Sequence, residues 1–533
     1  MSLGAVSMKR REILKAGLGA GSLFLPLPYA WVWAQSDGAI KLLRAPKMAL
    51  VVGNGKYKDA PELKNAPNDA KAIGEALKAS GFDVTMKLDT GREEMLAAIR
   101  AYVHLMEQKK HVGLFYFAGH GVQLAWRNYL LPVDAVIDKI EDVGKQSVDI
   151  ARLMEGLTKA ANPMNVIILD ACRENPFGKD FRVEQKGLSQ TDAPNSTLLA
   201  YATSPGNVAS DGDGVNGLYT ENLLREIKVP EAKIEDVFKR VRLGVRRKSN
   251  GAQIPWESTS LEEDFWFLPP RELKKLSDAE KQQAFDEELK LWEGAKGSRQ
   301  AARLEDYLRR FPNGEYSELA QLELDEVLAK QGEKRIEVQS QAGNPFSQGF
   351  ARADTNYKVG DFYSYRVLDL ETRALKRTTR GEITAVTDDE VIFGNGNFVL
   401  DRLGNTRRTG EGFRFTDNQN MPLEFYVGKK WVTKYRSFPP GISERIRIMT
   451  EIEFRITARD KVEVPAGSFD CFRVEGRGGA VSPKGSSEIR STHWYAPEKL
   501  RRPAAFEIVR KPPPGSPLPP TAERQELVAY KQT

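Results

Sequence analysis

Two side chains able to carry nucleophilic chemistry stand at the ends of two apolar runs. Val112 to Ala118 leads into Gly119-His-Gly121, and Val166 to Leu169 leads into Asp170-Ala-Cys-Arg173, so His120 and Cys172 each fall just past a buried strand. A thiol with an ordinary pKa of about 8.5 is a weak nucleophile in neutral water and becomes useful when an imidazole takes its proton or stabilises the thiolate. The carboxyl edge of an open parallel sheet is where ligands bind, and two strands can deliver two groups there from distant parts of a chain. The glycines beside His120 permit close backbone approach, and the amides of Gly121 and Cys172 could converge on a developing oxyanion. His104, within a helical stripe, and His111, at the start of its strand, read as structural. The pattern points to a cysteine-histidine hydrolase.

The elements that must position this pair alternate strand with helix. Lys47 to Gly53 and Asp83 to Leu88 are strands, separated by a helix whose apolar stripe is Ala70, Ile73, Ala76 and Leu77 and whose end is marked by Gly81. Helices at Glu93 to Gln108 and Asp149 to Ala160 precede the strands that carry His120 and Cys172, respectively. A fifth strand, Thr197 to Ala202, and helices at Gly217 to Ile227 and Ile234 to Lys248 follow. Such crossovers imply a largely parallel sheet covered on both faces, so residues 45–268 read as one α/β domain. Gly53-Asn-Gly-Lys56 follows a strand, but its spacing is wrong for a phosphate loop and no Ser or Thr comes after the lysine.

Pro269-Pro270 closes that domain. Residues 277–330 read as a helical hairpin turning at Pro312-Asn-Gly314, similar to one tetratricopeptide unit; a solenoid needs about three. Residues 331–354 have linker composition. Residues 355–533 hold alternating runs broken by Gly, Pro, Asn and Asp, which predicts an all-β domain, and the proline-rich stretch from Lys511 to Pro520 reads as extended. Within the β domain Cys471 reads as a small buried hydrophobe and His493 as a packed ring.

A chain of 533 residues is too long for one core. Its 79 basic and 73 acidic residues leave a formal charge of only +6, which argues for no nucleic-acid partner. Two cysteines in different domains make a disulfide framework unlikely by count. At the N-terminus, Arg10-Arg11 precedes a weakly apolar stretch from Ala16 to Trp33, which resembles a twin-arginine export signal over residues 1–34. Pro26 and Pro28 interrupt it, and a span needs about 20 apolar residues, so cleavage and export to the periplasm are expected rather than a membrane anchor.

Six segments in order resemble the caspase-like cysteine peptidases, nearest the bacterial metacaspase-like branch: Ala49 to Tyr57, Leu63 to Ala70, Phe115 to Gly121, Tyr129 to Asp134, Leu169 to Arg173, and Tyr201 to Gly206 with Tyr219-Thr220. The resemblance covers residues 45–268. It implies Cys172 as nucleophile, His120 as general acid/base, and the Gly121 and Cys172 amides as oxyanion hole. It also implies cleavage after Arg or Lys, with Asp69 and Asp170 as the acidic residues of the primary pocket; the alternative for Asp69 is a helix cap. Two carboxylates suit bidentate recognition of a guanidinium. Ala118 stands where many relatives have Ser. The acidic residues Asp134, Asp138, Glu141, Asp142 and Asp149 offer no clear calcium pair, so no cofactor or metal is expected and calcium activation stays open. Partners are then proteins or peptides with basic residues, and the basic residues between Arg173 and Asn195 invite self-cleavage. The competing readings are a non-catalytic scaffold of the cell envelope and a hydrolase or transferase acting on a non-peptide acyl group.

Overall fold

The structure is a computed structural model that describes residues 37–172, 187–205, 207, 214–271, 277–335, 343–441, 448–483, 485–513 and 520–533. The twin-arginine segment and residues 173–186 of the loop after Cys172 lie outside the described residues. No helix among the described residues is long and apolar enough to cross a membrane.

After α1 (Asp37–Arg44), the first domain runs β1 (Lys47–Gly53), α2 (Ala66–Ala79), β2 (Phe82–Leu88), α3 (Arg92–Lys109), β3 (Val112–Leu124), β4 (Arg127–Leu130), α4 (Ile140–Gln146), β5 (Val148–Asp149), α5 (Ile150–Ala160), β6 (Met164–Cys172), β7 (Thr197–Tyr201), α6 (Leu218–Ile227), α7 (Ile234–Lys248) and β8 (Trp256–Thr259). The sheet order is β2-β1-β3-β6-β7-β8. Every pair is parallel except β7 with β8. The continuous apolar runs of β1, β3, β6 and β7 follow from burial on both faces. Along β3, Leu114 and Tyr116 pack toward α2, α6 and α7, whereas Phe115 and Phe117 pack toward α3 and α5. Gly81 takes φ +84° directly after α2 and its amide bonds to Lys78 O, as the glycine there predicted.

Two features of this domain differ from the sequence reading. The edge strand β8 and the small β4–α4–β5 excursion are additional. In addition, β3 does not stop before His120: its parallel portion ends there, and the strand continues as a hairpin with β4, pairing Gly121 with Leu130. Gly119 and Gly121 on either side of the histidine let the backbone make that change of partner.

The helices α8 (Asp278–Ala295), α9 (Ala301–Arg310) and α10 (Ser317–Lys330) follow. Ser277 and Glu280 form a reciprocal cap at the start of α8. Trp292, Tyr307 and Tyr316 form a buried aromatic group between the three helices. The same apolar core continues into the β domain through Phe425, Trp431 and Phe454. In the stretch of linker composition, residues 350–352 form strand β9 (Phe350–Arg352), paired with Glu424–Tyr426. Phe350 and Tyr426 then pack edge-on against Trp256 of β8.

Twelve strands among the described residues, from Phe362–Asp369 to Thr521–Lys531, close into a barrel. The proline-rich stretch lies between the last two strands, Ala505–Lys511 and Thr521–Lys531, which pair antiparallel. Cys471 is fully buried, and burial pushes its thiol up to about 12. His493 stacks on Tyr495 and Phe506, and burial lowers it to about 4.

Charge joins the parts as well. Asp325 of α10 meets Arg246 of α7 at 2.5 Å, Arg335 at 2.5 Å, and Arg352 of β9. Burial alone would raise this carboxyl, and the three guanidiniums outweigh it and hold it well below the usual range. Asp325→Ala therefore strands several cations at once, and a loss on the order of 3 kcal/mol is expected from denaturant midpoints. A loss under roughly 0.5 kcal/mol, the size of an ordinary surface change, would show the cluster to be solvated. A nearby cavity of about 120 Å³ lies between α7, α10 and the strand Glu424–Tyr426 and is lined by none of the sequence-predicted site residues.

Candidate active site

The parallel ladder between β3 and β6 stays in register to its last pair, in which His120 stands opposite Cys172. One step earlier along the same face, Ala118 stands opposite Asp170. Two residues far apart in the chain thus become backbone neighbours because both strands begin in the same layer and run in the same direction. Ladder bonds alternate sides along a strand. Val112 N–H donates to Pro46 O and Ala118 O accepts from Asn54 N–H, so the even positions of β3 bond toward β1. Gly121 is odd, and its amide is directed to the β6 side, beside residue 172.

The loop after β1 holds the imidazole. Asn54 is fully buried and anchors this loop: its side-chain amide donates to Leu131 O at 3.1 Å, and its carbonyl accepts from the Thr90 amide at 3.0 Å. Asp89 accepts from the amides of Gly55 and Lys56 at 2.8 and 3.0 Å. This bent loop carries Tyr57 and Pro61 against His120. The His120 amide donates to the Tyr57 hydroxyl at 2.8 Å, and the two rings lie 4.6 Å apart. A Cβ on Gly119 would come within 2.5 Å of that hydroxyl, which is why only glycine fits there. Nε2 of His120 lies 2.8 Å from Pro61 O. A carbonyl only accepts, so this contact assigns the proton to Nε2 and leaves the lone pair of the neutral ring on Nδ1.

Both predicted pocket carboxylates meet the segment that starts α6. Asp170 accepts from Thr220 Oγ1 at 2.7 Å, and the Tyr116 hydroxyl lies 2.6 Å from that same Thr220 oxygen. Asp69 accepts from the Asn216 side chain at 2.8 Å and the Gly217 amide at 3.0 Å. Asp69 is therefore not the cap of its own helix: Asn65 holds that position in α2, and Asp69 instead meets the amide at the start of α6. Burial first, then the nearby charges of Asp170 and Asp69, push the Tyr116 phenol well above its ordinary range. The fold thus brings both carboxylates to bear on one buried hydroxyl.

Three of the other acidic residues near β4 are engaged at helix starts. Asp134 accepts from the Arg92 amide, Asp142 from the Lys139 amide and Asp149 from the Ala151 amide. Among the described residues no group of three or more His, Cys, Asp or Glu could hold a metal ion. His104 is an exposed residue of α3 beside Gln108, and His111 is buried at the start of β3.

Sequence reasoning missed Tyr57 and Pro61 as partners of His120. Tyr57 stands within a motif that was legible, but its residue type alone assigns no contact. Pro61 acts through a backbone carbonyl, a group every residue has, so no residue type could have marked it.

Residues 46–266 match the family model described as Caspase domain. The chain is 30% identical over 164 residues to the mucosa-associated lymphoid tissue lymphoma translocation protein 1 of Homo sapiens, and equally to its Mus musculus homolog. Each match covers 31% of this chain and 19% of the relative, so the chain spans about a fifth of the length of the curated relatives it matches. Among solved structures, the Drosophila initiator caspase Dronc aligns with a TM-score of 0.32 at 14% identity, over 42% of this chain and 83% of that one.

Proposed function

We propose that the caspase-like domain of residues 46–266 is a cysteine endopeptidase that cleaves after Arg or Lys. The observation that carries this reading is the in-register pairing of His120 with Cys172 at the carboxyl end of the parallel ladder. Nδ1 of His120 takes the thiol proton, and the Cys172 thiolate adds to the scissile carbonyl carbon. The oxyanion that forms is stabilised by the Gly121 and Cys172 amides. The imidazolium returns its proton to the leaving amine as the carbon–nitrogen bond breaks, and water then hydrolyses the thioester, again with His120 as base. Pro61 O holds Nε2–H throughout, so the same nitrogen faces the reaction in both half-reactions.

Asp69 and Asp170 supply negative charge for a guanidinium or ammonium of the substrate. Their common contact with the start of α6 supports one acidic pocket built from the first turn of α2 and the end of β6. Arg10-Arg11 supports export by the twin-arginine route to the periplasm, and the charged loop after Cys172 supports self-cleavage. Incubated pure protein that stays full length while it hydrolyses peptides would exclude the latter.

The deciding experiment is covalent labelling by an arginyl electrophile of the wild type and Cys172→Ala. Label in the wild type alone is expected, and equal label in both would remove Cys172 as nucleophile. Tyr57→Phe tests the support of the imidazole: loss of the acceptor for the His120 amide should lower kcat about fivefold, the size of one hydrogen bond, with KM unchanged. An unchanged kcat would leave Tyr57 only a packing role.

A further inference from the structure

We infer that the segment Gly343 to Gly349, which enters the β domain, is a strap that positions the oxyanion side of the site, with Asn344 and Asp192 as its positioning residues; this rests on the peptidase reading above. The strap lies along residues 187–193, the described end of the loop that follows Cys172. Asn344 donates through its side-chain amide to Gln190 O at 2.6 Å and to Ser189 Oγ at 3.1 Å. The Asp192 amide donates to Phe346 O at 3.0 Å, and the Asp192 carboxylate accepts from Ser347 Oγ at 2.9 Å and from the Gln348 amide at 2.7 Å. These contacts pair two irregular segments through five hydrogen bonds.

Each end of this arrangement is tied to something larger. On the barrel side, Arg459 donates through its amide and its guanidinium to the side-chain and main-chain oxygens of Gln348, both at 3.1 Å. On the domain side, Ser189 exchanges two hydrogen bonds with Asn128 of β4, at 2.6 and 2.9 Å. Between them stands Leu188, fully buried, in the same apolar cluster as Ala171 and Phe117. A Cβ added to Gly121 would lie 3.0 Å from Ala171 Cβ and 3.2 Å from Leu188 Cδ2. Leu188 therefore closes the space beside Gly121, next to the last residues of β6.

The physical chain runs from barrel to strap, from strap to Ser189–Asp192, and from there through Leu188 to the Gly121 backbone. Irregular backbone has no ladder of its own to fix it, so the polar contacts that hold 187–193 come from elsewhere. An oxyanion donor loses much of its effect when displaced by about 1 Å. A strap that fixes Leu188 thus acts on kcat and leaves the acidic pocket alone.

The test uses the full chain. Asp192→Ala and Asn344→Ala are each expected to lower kcat for an arginyl peptide about tenfold, with KM within about twofold. Alkylation of Cys172 by iodoacetamide, which needs no oxyanion donor, should keep its rate. Amide exchange should quicken both in 187–193 and in 119–124, and Asp192→Asn, which keeps an acceptor, should restore most of the loss. Wild-type kcat in both alanine variants would overturn the proposal, as would faster exchange that stops short of 119–124. If Asp192→Ala fails to fold, Ser347→Ala removes one of the five bonds to 187–193, together with the acceptor of the Gly349 amide, and should show the same pattern at smaller size. A wild type that cuts no peptide would count against the peptidase reading alone, and the exchange measurement would still decide the strap.

Discussion

Cys172→Ala and His120→Ala are each expected to lower kcat for an arginyl peptide by at least about 10³-fold, and the double variant by no more than either alone. The non-additivity follows from how the pair works. A thiol without its base stays protonated, and a base without its thiol has nothing to activate, so the second substitution removes a function already lost. Cys471 provides the internal control. It is fully buried, burial raises its thiol to about 12, and it stands in the barrel core, so Cys471→Ala should keep full activity. Steady-state hydrolysis decides the matter: more than about a tenth of wild-type activity in Cys172→Ala would exclude covalent catalysis by this residue, given that any nucleophile of this kind carries several orders of magnitude.

Asp170→Asn is expected to cost about 100-fold in kcat/KM toward Arg-ending reporters, since it removes one charge from a shielded contact while keeping an acceptor for Thr220 Oγ1. Alkylation of Cys172 by a small uncharged reagent should not change. Asp69→Asn should have a smaller effect, because one Asp69 oxygen is already shared between the Asn216 side chain and the Gly217 amide and its removal also disturbs the start of α6. Equal hydrolysis of Arg-ending and Asp-ending reporters by the wild type would remove both residues from a specificity pocket. Equal hydrolysis of Arg reporters by wild type and Asp170→Asn would remove Asp170 alone.

Much of the first domain was legible because its signals are local. Apolar runs such as Met48 to Val52 and Val166 to Leu169, and stripes such as Ala70, Ile73 and Leu77, report strands and helices through neighbouring residues only. The order of alternation then restricts the sheet to a few topologies. The barrel was legible only as β-rich. Its closure depends on pairing the strand Phe362–Asp369 with Thr521–Lys531, more than 150 positions away, and no local pattern encodes such a partner. No local pattern marks the contact of Trp256 with Phe350 and Tyr426 either, since both partners lie more than 90 positions further along the chain.

What the sequence by itself determined was the chemistry on offer: one imidazole flanked by glycines, one thiol after a buried run, and two carboxylates that a family resemblance assigned to a pocket. Residue type and spacing carry that information because reactivity belongs to side chains. What only the tertiary structure decided was alignment. The register of β3 on β6 sets His120 opposite Cys172, the loop after β1 brings the Pro61 carbonyl to Nε2, and Asp69 meets the start of α6 instead of capping α2. The physical reason is that these contacts use backbone groups and long-range pairing. Both are the same for nearly every residue, and their partners are fixed only when the chain has packed.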